Sequence, residues 1–341
     1  MTTHMRREVE EIPEATERFL RAAGPAVAAA GAAIRARDPA LVVTVARGSS
    51  DHAAAYLKYA IELAAGVPVA SVGPSIASVY GRQLRLGPAL CLGISQSGKS
   101  PDIVEMMRSA GAGGALTLAL TNVEGSPLAR AAGHALPLSA GEERSVAATK
   151  SFVASVVAGL ALLAEWQQDA ALGAAVQALP AAFAQALACD WAPLSDRLVR
   201  AQSLYVLGRG PGFAIASEMA LKCKETSGLH AEAYSAAEVL HGPAAIVQAH
   251  FPVLALGVED AALPGVIATA DRLAGQGADV FLTAPGGAEG VRALPAVAGL
   301  HPLVAPLVLV VTFYAFVEAL ARRRGFDPDT PPHLRKVTET V

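Results

Sequence analysis

The sequence predicts an α/β protein built from two similar halves, each with a mostly parallel sheet between helices. Three observations support this fold class. Short apolar runs of strand length alternate with alanine-rich or periodic stretches of helix length. The pattern occurs twice along the 341 residues, a length that accommodates two domains. One run, Ala89–Ile94, is apolar almost throughout, as expected for a parallel strand covered on both faces.

The candidate strands follow one another in each half, and each set ends in a long apolar helix, at Val146–Trp166 and at Leu303–Leu320. The segment from about Gln167 to Asp196 is expected to be a helical connector. The strand-like runs of the first half are Leu41–Ala46, Val67–Val72, Ala89–Ile94, Ala115–Leu120 and Ala135–Leu138, and those of the second half are Ser203–Gly208, Leu229–Ala233, Pro252–Val258, Ala278–Thr283 and Ala296–Leu300.

Both long apolar segments approach the length of a membrane span. Lys150 interrupts the first, and Pro306 and Glu318 interrupt the second. The two segments also occupy equivalent positions in the repeated halves. We therefore predict that they are buried helices covering the two sheets, and not membrane anchors.

Composition restricts the function classes. The chain is 53% hydrophobic and 17% charged with a net charge of −3, so it has no electrostatic reason to bind nucleic acid or an anionic membrane surface. Cys91, Cys189 and Cys223 lie far apart in apolar stretches, which argues against disulfides and favours a reducing cytoplasm. The charged N-terminus lacks the apolar core of a signal peptide.

The turn after Ala89–Ile94 carries the strongest functional signal. It leads into a helix with its N-cap predicted at Ser100 and Pro101 at the first helical position. The free N–H groups of that helix and the hydroxyls of Ser95, Ser97 and Ser100 could bind a phosphate dianion, with Gly98 permitting a close approach. From the turn alone, an ordinary strand-to-helix loop explains the pattern equally well.

The two halves look like copies that differ at this turn. Arg47-Gly48 recurs as Arg209-Gly210, and Ser75-x-x-x-Val79 recurs as Ser235-x-x-x-Val239. Opposite the serine-rich turn the second half has Gly257-Val258-Glu259-Asp260, whose carboxylates would repel a phosphate. We therefore expect one phosphate site per chain, in the first half.

Candidate acid and base groups lie in the second half. Glu218, Lys222 and Glu225 are spaced i, i+4 and i+7, so a helix would present them on one face. By spacing alone, an exposed Glu–Lys pair on a solvated face is the simpler explanation. His241, in a His-Gly-Pro turn, would by itself be an ordinary structural histidine.

Lys336 lies in the C-terminal tail, where a lone lysine is usually solvated. Its neighbours Leu334 and Val337 give the tail apolar groups to bury, so the tail could fold over a cleft as a lid. A partly desolvated lysine there would suit attack on a carbonyl. His230, His241 and His250 lack metal-ligand spacing, and we expect no metal.

Several ordered motifs extend along nearly the whole chain and together resemble one family, the tandem sugar isomerase (SIS) domains, specifically the isomerase half of glucosamine-6-phosphate synthase and the stand-alone deaminases related to it. The motifs are Ala46-Arg47-Gly48-Ser49-Ser50, Ile94-Ser95-Gln96-Ser97-Gly98, Ser145-Val146-Ala147-Ala148-Thr149-Lys150, Leu207-Gly208-Arg209-Gly210, Glu218-Met219-Ala220-Leu221-Lys222-Cys223-Lys224-Glu225, His230-Ala231-Glu232-Ala233-Tyr234, Leu240-His241-Gly242-Pro243 and Leu334-Arg335-Lys336-Val337-Thr338.

The resemblance implies two tandem SIS domains, each a mostly parallel five-stranded sheet flanked by helices in three αβα layers. It implies an N-terminal helical segment and a C-terminal tail or lid around the two domains. The expected boundaries are residues 1–38 for the helical segment, 39–170 for the first domain with the phosphate loop, 171–196 for a helical linker, 197–325 for the second domain and 326–341 for the tail.

The resemblance also implies site residues. The phosphate binders would be Ser95, Gln96, Ser97 and Ser100, while Ser50, Val146 and Ala148 lie in segments that line the sugar. Arg47, Lys99 and Ala148 depart from the synthase pattern, which leaves the detailed sugar contacts open.

The catalytic residues implied by the resemblance are five. Glu225 would move a proton between C1 and C2, and His241 would open the sugar ring in the site of the neighbouring subunit of a homodimer. Lys336 would form a Schiff base with the ketose, with Glu218 and Lys222 close to Glu225.

The expected function is therefore a cytoplasmic glucosamine-6-phosphate deaminase that uses no cofactor or metal and has no nucleic-acid or membrane partner. No glutaminase segment precedes the matched region, so glutamine is not the expected nitrogen donor. Alternatives are a fructosamine-6-phosphate deglycase, a galactosamine-6-phosphate deaminase, a plain phosphosugar isomerase and a non-catalytic phosphosugar sensor. The presence of all three proposed catalytic residues, Glu225, His241 and Lys336, argues for an enzyme over a sensor. The sequence before Leu41 shows no helix-turn-helix segment, which argues against a DNA-binding regulator.

Overall fold

The structure, a computed structural model, describes residues 2–336, which form two compact units. The N-terminal unit comprises Glu11–Glu143, Lys150–Pro180 and residues 335–336, and the C-terminal unit comprises residues 2–10, Arg144–Thr149 and Ala181–Leu334. The boundaries given above for the domains remain predictions. Val337 and Thr338, and with them the rest of the expected tail beyond Lys336, lie outside the described residues.

Each unit contains a sheet whose strands are all parallel. The strands are β1 Leu41–Val45, β2 Val69–Ser71, β3 Ala89–Ile94, β4 Leu116–Thr121 and β5 His134–Pro137 in the N-terminal unit, and β6 Ser203–Gly208, β7 His230–Ser235, β8 Pro252–Ala255, β9 Asp279–Leu282 and β10 Val291–Ala293 in the C-terminal unit.

Helices flank both sheets, and short 3₁₀ turns lie at Glu238–His241 and Pro243–Ile246. The helices are α1 His4–Glu10, α2 Ile12–Ala22, α3 Gly24–Arg37, α4 Ser49–Ala65, α5 Ser75–Ser78, α6 Pro101–Ala112, α7 Pro127–Ala131, α8 Lys150–Gln167, α9 Ala170–Gln177, α10 Leu179–Ala186, α11 Ala192–Leu198, α12 Pro211–Ser227, α13 Leu263–Gly275 and α14 Ala305–Arg323.

The two sheets have the same topology. Within the described residues, one is a five-stranded sheet of order β2-β1-β3-β4-β5 and the other a five-stranded sheet of order β7-β6-β8-β9-β10. Strands β6 to β10 thus repeat β1 to β5 in sequence and in position. The predicted α/β class with two parallel five-stranded sheets is confirmed.

The repeat extends to backbone conformation. Gly48, which precedes α4, has φ 56° and ψ −132°, and Gly210, which precedes α12, has φ 55° and ψ −134°. Side chains other than hydrogen are strained in this region, so glycine is required at both strand-to-helix turns.

The prediction of a last strand at Ala296–Leu300 is wrong. The edge strand is β10, which pairs with β9 through Val291↔Val280, whereas residues 296–300 are irregular. Within that run the Gly299 N–H donates to Glu259 Oε2 at 3.3 Å and to no strand. Pro295 has no N–H, and its carbonyl accepts a hydrogen bond from the Trp191 indole at 2.9 Å.

Both long apolar segments contain a buried helix, although α8 begins at Lys150 and α14 at Ala305, each later than predicted. Most residues of α8 are buried, and Gly159 lets it approach α4 so closely that a Cβ at this position would lie 2.3 Å from Leu57 Cδ1. By length and composition α14 could cross a membrane, but 78% of its most apolar window is buried within the protein. Its apolar side chains therefore form part of a core, as predicted.

Candidate active site

The serine-rich turn lies at the point where the strand order predicts a ligand-binding crevice. Strands β1 and β3 are neighbours, with Val45 opposite Gly93, and the chain runs from β1 to one side of the sheet and from β3 to the other. Ligands of open parallel sheets bind at the carboxyl ends of strands at such a point. The N-termini of α4 and α6 follow β1 and β3, so the N–H groups of two helix N-termini are available to an anion at this point.

Gly98 fixes the shape of the turn. Its φ is +61°, and a Cβ would lie 2.2 Å from Ser126 Oγ and 2.8 Å from Thr121 Oγ1. Its N–H donates to Ser95 Oγ at 3.2 Å, and its carbonyl accepts from the Leu128 N–H at 3.0 Å. Glycine is therefore required by close packing and by conformation, in addition to the ligand approach that the sequence suggested.

The other predicted phosphate residues lie in the same turn. The Gln96 carbonyl accepts from the Asn122 N–H at 3.1 Å, and Ser97 Oγ accepts from the Lys99 N–H at 3.3 Å. Ser100 occupies the N-cap position of α6 as predicted, but its hydroxyl caps no helix N–H. Ser50 lies in the first turn of α4, on the β1 side of the crevice.

An ion pair at this crevice was missed by the sequence analysis. Arg47, after β1, donates to Asp102 Oδ2 from Nε at 3.0 Å and from Nη2 at 2.6 Å. Asp102 is completely buried in the first turn of α6, whereas half of the Arg47 side chain is exposed. Burial raises the pKa of the nearby Asp51, and the charges of His52 and Arg47 partly oppose that rise.

The predicted acid–base residues form a buried trio on α12. Lys222 and Glu218 are both 0% exposed, and Lys222 Nζ lies 3.5 Å from Glu218 Oε1. Lys222 Nζ also donates to Glu225 Oε2, and the Glu225 side chain is 21% exposed. The Tyr314 hydroxyl of α14 donates to Glu218 Oε1 at 2.9 Å. The alternative of a solvated Glu–Lys pair is therefore wrong.

This arrangement leaves Glu225 as the member of the trio that can reach a ligand. Two carboxylates compete for one lysine, and a buried lysine must be compensated by opposite charge. Tyr314 supplies a further donor to Glu218, which the sequence pattern did not indicate because the two residues are far apart along the chain. The trio thus combines a fixed ammonium with a partly exposed carboxylate.

The remaining predicted residues are distributed between the units. His241 ends a 3₁₀ turn in the C-terminal unit and is exposed. Val146 and Ala148 belong to the same unit and are half-buried, and the Val146 N–H donates to the Asp329 carbonyl at 3.4 Å. Lys336 belongs to the N-terminal unit, where it pairs with Glu143.

The structure thus brings together two groups of predicted residues, one in each unit. Ser50 and the turn from Ser95 to Ser100 follow the neighbouring strands β1 and β3, and Glu218, Lys222 and Glu225 share one helix face. Within the part of the chain that the structure describes, no group of three or more His, Cys, Asp or Glu side chains could hold a metal ion.

Comparison with known proteins identifies a family whose model matches most of the chain. Residues 37–165 and 197–282 match the family model described as SIS domain. The glutamine–fructose-6-phosphate aminotransferase (isomerizing) of Halobacterium salinarum is 38% identical over 313 residues, which cover 86% of this chain and 50% of that protein. The chain therefore spans about half the length of the curated relatives it matches.

Two solved structures are similar over nearly their full lengths. One, from Silicibacter pomeroyi DSS-3, is described as a candidate phosphosugar isomerase and has 53% identity and a TM-score of 0.93, covering 96% of this chain and 100% of that chain. The other is the C-terminal domain of the Francisella tularensis glucosamine-fructose-6-phosphate aminotransferase, with 26% identity, a TM-score of 0.85, and coverage of 97% and 99%. The chain belongs to the SIS domain family and is related to the isomerase half of these aminotransferases.

Proposed function

We propose that this protein is a phosphosugar-converting enzyme that turns glucosamine 6-phosphate and water into fructose 6-phosphate and ammonia. The observation that carries the proposal is the buried trio on α12, because a ligand-binding module has no need of a lysine buried between two carboxylates. The similarity to a protein described as a candidate phosphosugar isomerase supports the substrate class.

In this proposal the turn from Ser95 to Ser100 binds the phosphate. The N-terminus of α6 and the hydroxyls of the turn supply hydrogen-bond donors, and Ser50 adds one from α4. The Arg47–Asp102 pair supports the site because the guanidinium compensates a carboxylate that would otherwise repel the dianion.

Glu225 then acts as the base. His241 opens the ring by passing a proton from the C1 hydroxyl to the ring oxygen. Glu225 takes the C2 proton and returns it to C1, while O1 gains a proton and the C2 nitrogen loses one. The aldehyde at C1 becomes an alcohol, and C2 becomes an imine.

Lys336 completes the reaction. The Lys336 ammonium passes a proton to the imine nitrogen, and the neutral amine then attacks C2. A proton of the attacking nitrogen passes to the departing nitrogen, and ammonia leaves with C2 doubly bonded to Nζ. Water adds to C2 and the lysine amine leaves, which gives the carbonyl of fructose 6-phosphate. We further propose that the enzyme is a cytoplasmic homodimer that needs no cofactor or metal.

The test is an assay of the purified protein with glucosamine 6-phosphate, its galacto epimer and a fructosamine 6-phosphate. We expect ammonia from glucosamine 6-phosphate, and little from its galacto epimer. Glu225→Gln should lower this rate at least about 100-fold, in line with the loss of a general base. Glu232→Gln, in which another carboxylate of the same unit is changed, is the control and should remain active.

Other outcomes would contradict the proposal. Release of the free amine from a fructosamine 6-phosphate, without ammonia from glucosamine 6-phosphate, would identify a deglycase. Tight binding of these sugars without turnover of any would identify a sensor.

A further inference from the structure

We infer that Glu143 is a positioning residue that holds the amine of Lys336 ready for imine exchange, an inference that rests on the proposed function. Lys336 Nζ donates to Glu143 Oε2 at 3.0 Å within the N-terminal unit. The Glu143 side chain is completely buried, and a quarter of the Lys336 side chain is exposed. Glu143 is not among the residues that the sequence analysis identified.

Glu143 is itself held by the N-terminus of α8. Its Oε1 accepts from the Ser151 N–H at 3.1 Å, and its Oε2 accepts from the Ser151 hydroxyl at 2.6 Å. Both contacts suit an ionised carboxylate, and a helix N-terminus stabilises negative charge. Such a carboxylate is a firm anchor for an ammonium group.

The anchor matters because lysine is a long and flexible side chain. A free lysine loses much of its rotamer entropy when it is fixed for reaction. The Glu143 contact fixes Lys336 before substrate arrives, so this loss does not add to the barrier of the imine exchange. The ammonium then gives its proton to the nitrogen of the incoming imine, and the neutral amine leaves the carboxylate to attack C2.

This role confines Glu143 to one part of the reaction. Ring opening and the transfer of the C2 proton use His241 and Glu225, and neither step uses the lysine amine. Removal of the Glu143 charge should therefore slow ammonia release and leave the C2 proton exchange unchanged. A residue that merely stabilised the fold would lower both rates together.

The experiment compares wild type with Glu143→Gln, Ser151→Ala, Lys336→Ala and the double variant Glu143→Gln/Lys336→Ala. Glucosamine 6-phosphate is incubated in D₂O, and deuterium at C2 and ammonia are both measured. Fructose 6-phosphate with borohydride traps the Schiff base on Lys336, which mass spectrometry detects.

We expect Glu143→Gln to release ammonia about 100-fold more slowly, the effect of a misplaced reacting group, and to trap little Schiff base while retaining deuterium exchange. Ser151→Ala should show a smaller loss of the same kind, and it covers the case in which Glu143→Gln does not fold. The double variant should match Lys336→Ala alone, because Glu143 acts only through the lysine.

The inference is overturned if Glu143→Gln releases ammonia at the wild-type rate, or if it lowers deuterium exchange as much as ammonia release. Failure of the proposed function would look different. In that case wild type itself would release no ammonia and form no trapped adduct.

Discussion

Lys150 illustrates how single residues are constrained in this protein. Its side chain is 1% exposed at the start of α8, and Nζ lies 2.6 Å from Glu11 Oε2, while Arg18 Nη2 lies 2.7 Å from Glu11 Oε1. Burial alone raises the pKa of Glu11, but the hydrogen bonds and charges of Lys150 and Arg18 outweigh it, and the pKa is lowered. Glu11 is therefore a carboxylate whose ionisation stabilises the fold.

Glu11→Gln should lower the free energy of unfolding by about 2 kcal/mol at neutral pH, because it leaves the buried Lys150 uncompensated. Since Glu11 is partly exposed, the loss should be smaller than for a fully buried pair. The stabilisation is complete above the ordinary glutamate pKa of 4.5 and is lost as the pH falls through the lower folded pKa. Urea unfolding from pH 7 to 3 measures both effects.

The control is Glu14→Gln. Glu14 also pairs with Arg18, at 3.0 Å, but 70% of its side chain is exposed, so its loss should change stability by less than about 0.5 kcal/mol. A Glu11→Gln effect that is as small, or that does not shrink on acidification, would contradict the assignment.

The sequence indicates those site residues that are related by local helix geometry, but not those that are brought together by contacts between distant segments. The shared face of Glu218, Lys222 and Glu225 follows from helix geometry and could be predicted. Their burial could not, because it depends on Tyr314 and the packing of α14 against α12. The Arg47–Asp102 and Glu143–Lys336 pairs join distant parts of the chain, and no local pattern indicates them.

At the scale of elements, the strands and long helices follow from hydrophobic pattern, and packing explains the exceptions. Residues 296–300 are as apolar as a strand, yet they line a cavity of about 310 Å³ with Gly257 and Leu309. An apolar run that follows a proline and contains a glycine is thus suited to lining a cavity as well as to pairing. Pattern alone does not separate the two.

The contact of α8 with α4 gives a prediction at this scale. Gly159→Ala should lower the free energy of unfolding by about 1–3 kcal/mol, because the added Cβ would overlap Leu57, which is 1% exposed and has little room to move. Thermal and urea unfolding measure the change.

Gly173→Ala in α9 is the matched control. Nothing lies within 4 Å of a Cβ built at this position, so the higher helix propensity of alanine should raise stability by about 0.5–1 kcal/mol. If both substitutions stabilise the protein, α8 and α4 do not pack as closely as described.

At the scale of the whole molecule, the sequence repeat anticipated two sheets of one topology. It did not anticipate how the chain is shared between the units. Residues 2–10 and Arg144–Thr149 cluster with the C-terminal unit, and Lys336 clusters with the N-terminal one. Such sharing depends on contacts between distant segments, which composition and periodicity do not encode.

The proposed homodimer is tested by complementation. Glu225→Gln and His241→Ala should each be inactive alone. If His241 serves the neighbouring subunit, a mixed dimer has one intact site, and random mixing should restore about a quarter of wild-type activity. Ammonia release after co-refolding or co-expression measures it.

A second mixture provides the control. Glu225→Gln mixed with the double variant Glu225→Gln/His241→Ala contains no intact Glu225 and should stay inactive. If the first mixture also remains inactive although mixed dimers form, each site draws both residues from one subunit.

The matching backbone of Gly48 and Gly210 bears on how such an enzyme arises by duplication. Both copies kept the sharp bend that aims a helix at the mouth of the sheet, while the loops after β3 and β8 became hydroxyl-rich in one copy and acidic in the other. On the proposed function, one ancestral lobe specialised in anchoring the anion and its twin in moving protons, and neither had to rebuild its scaffold.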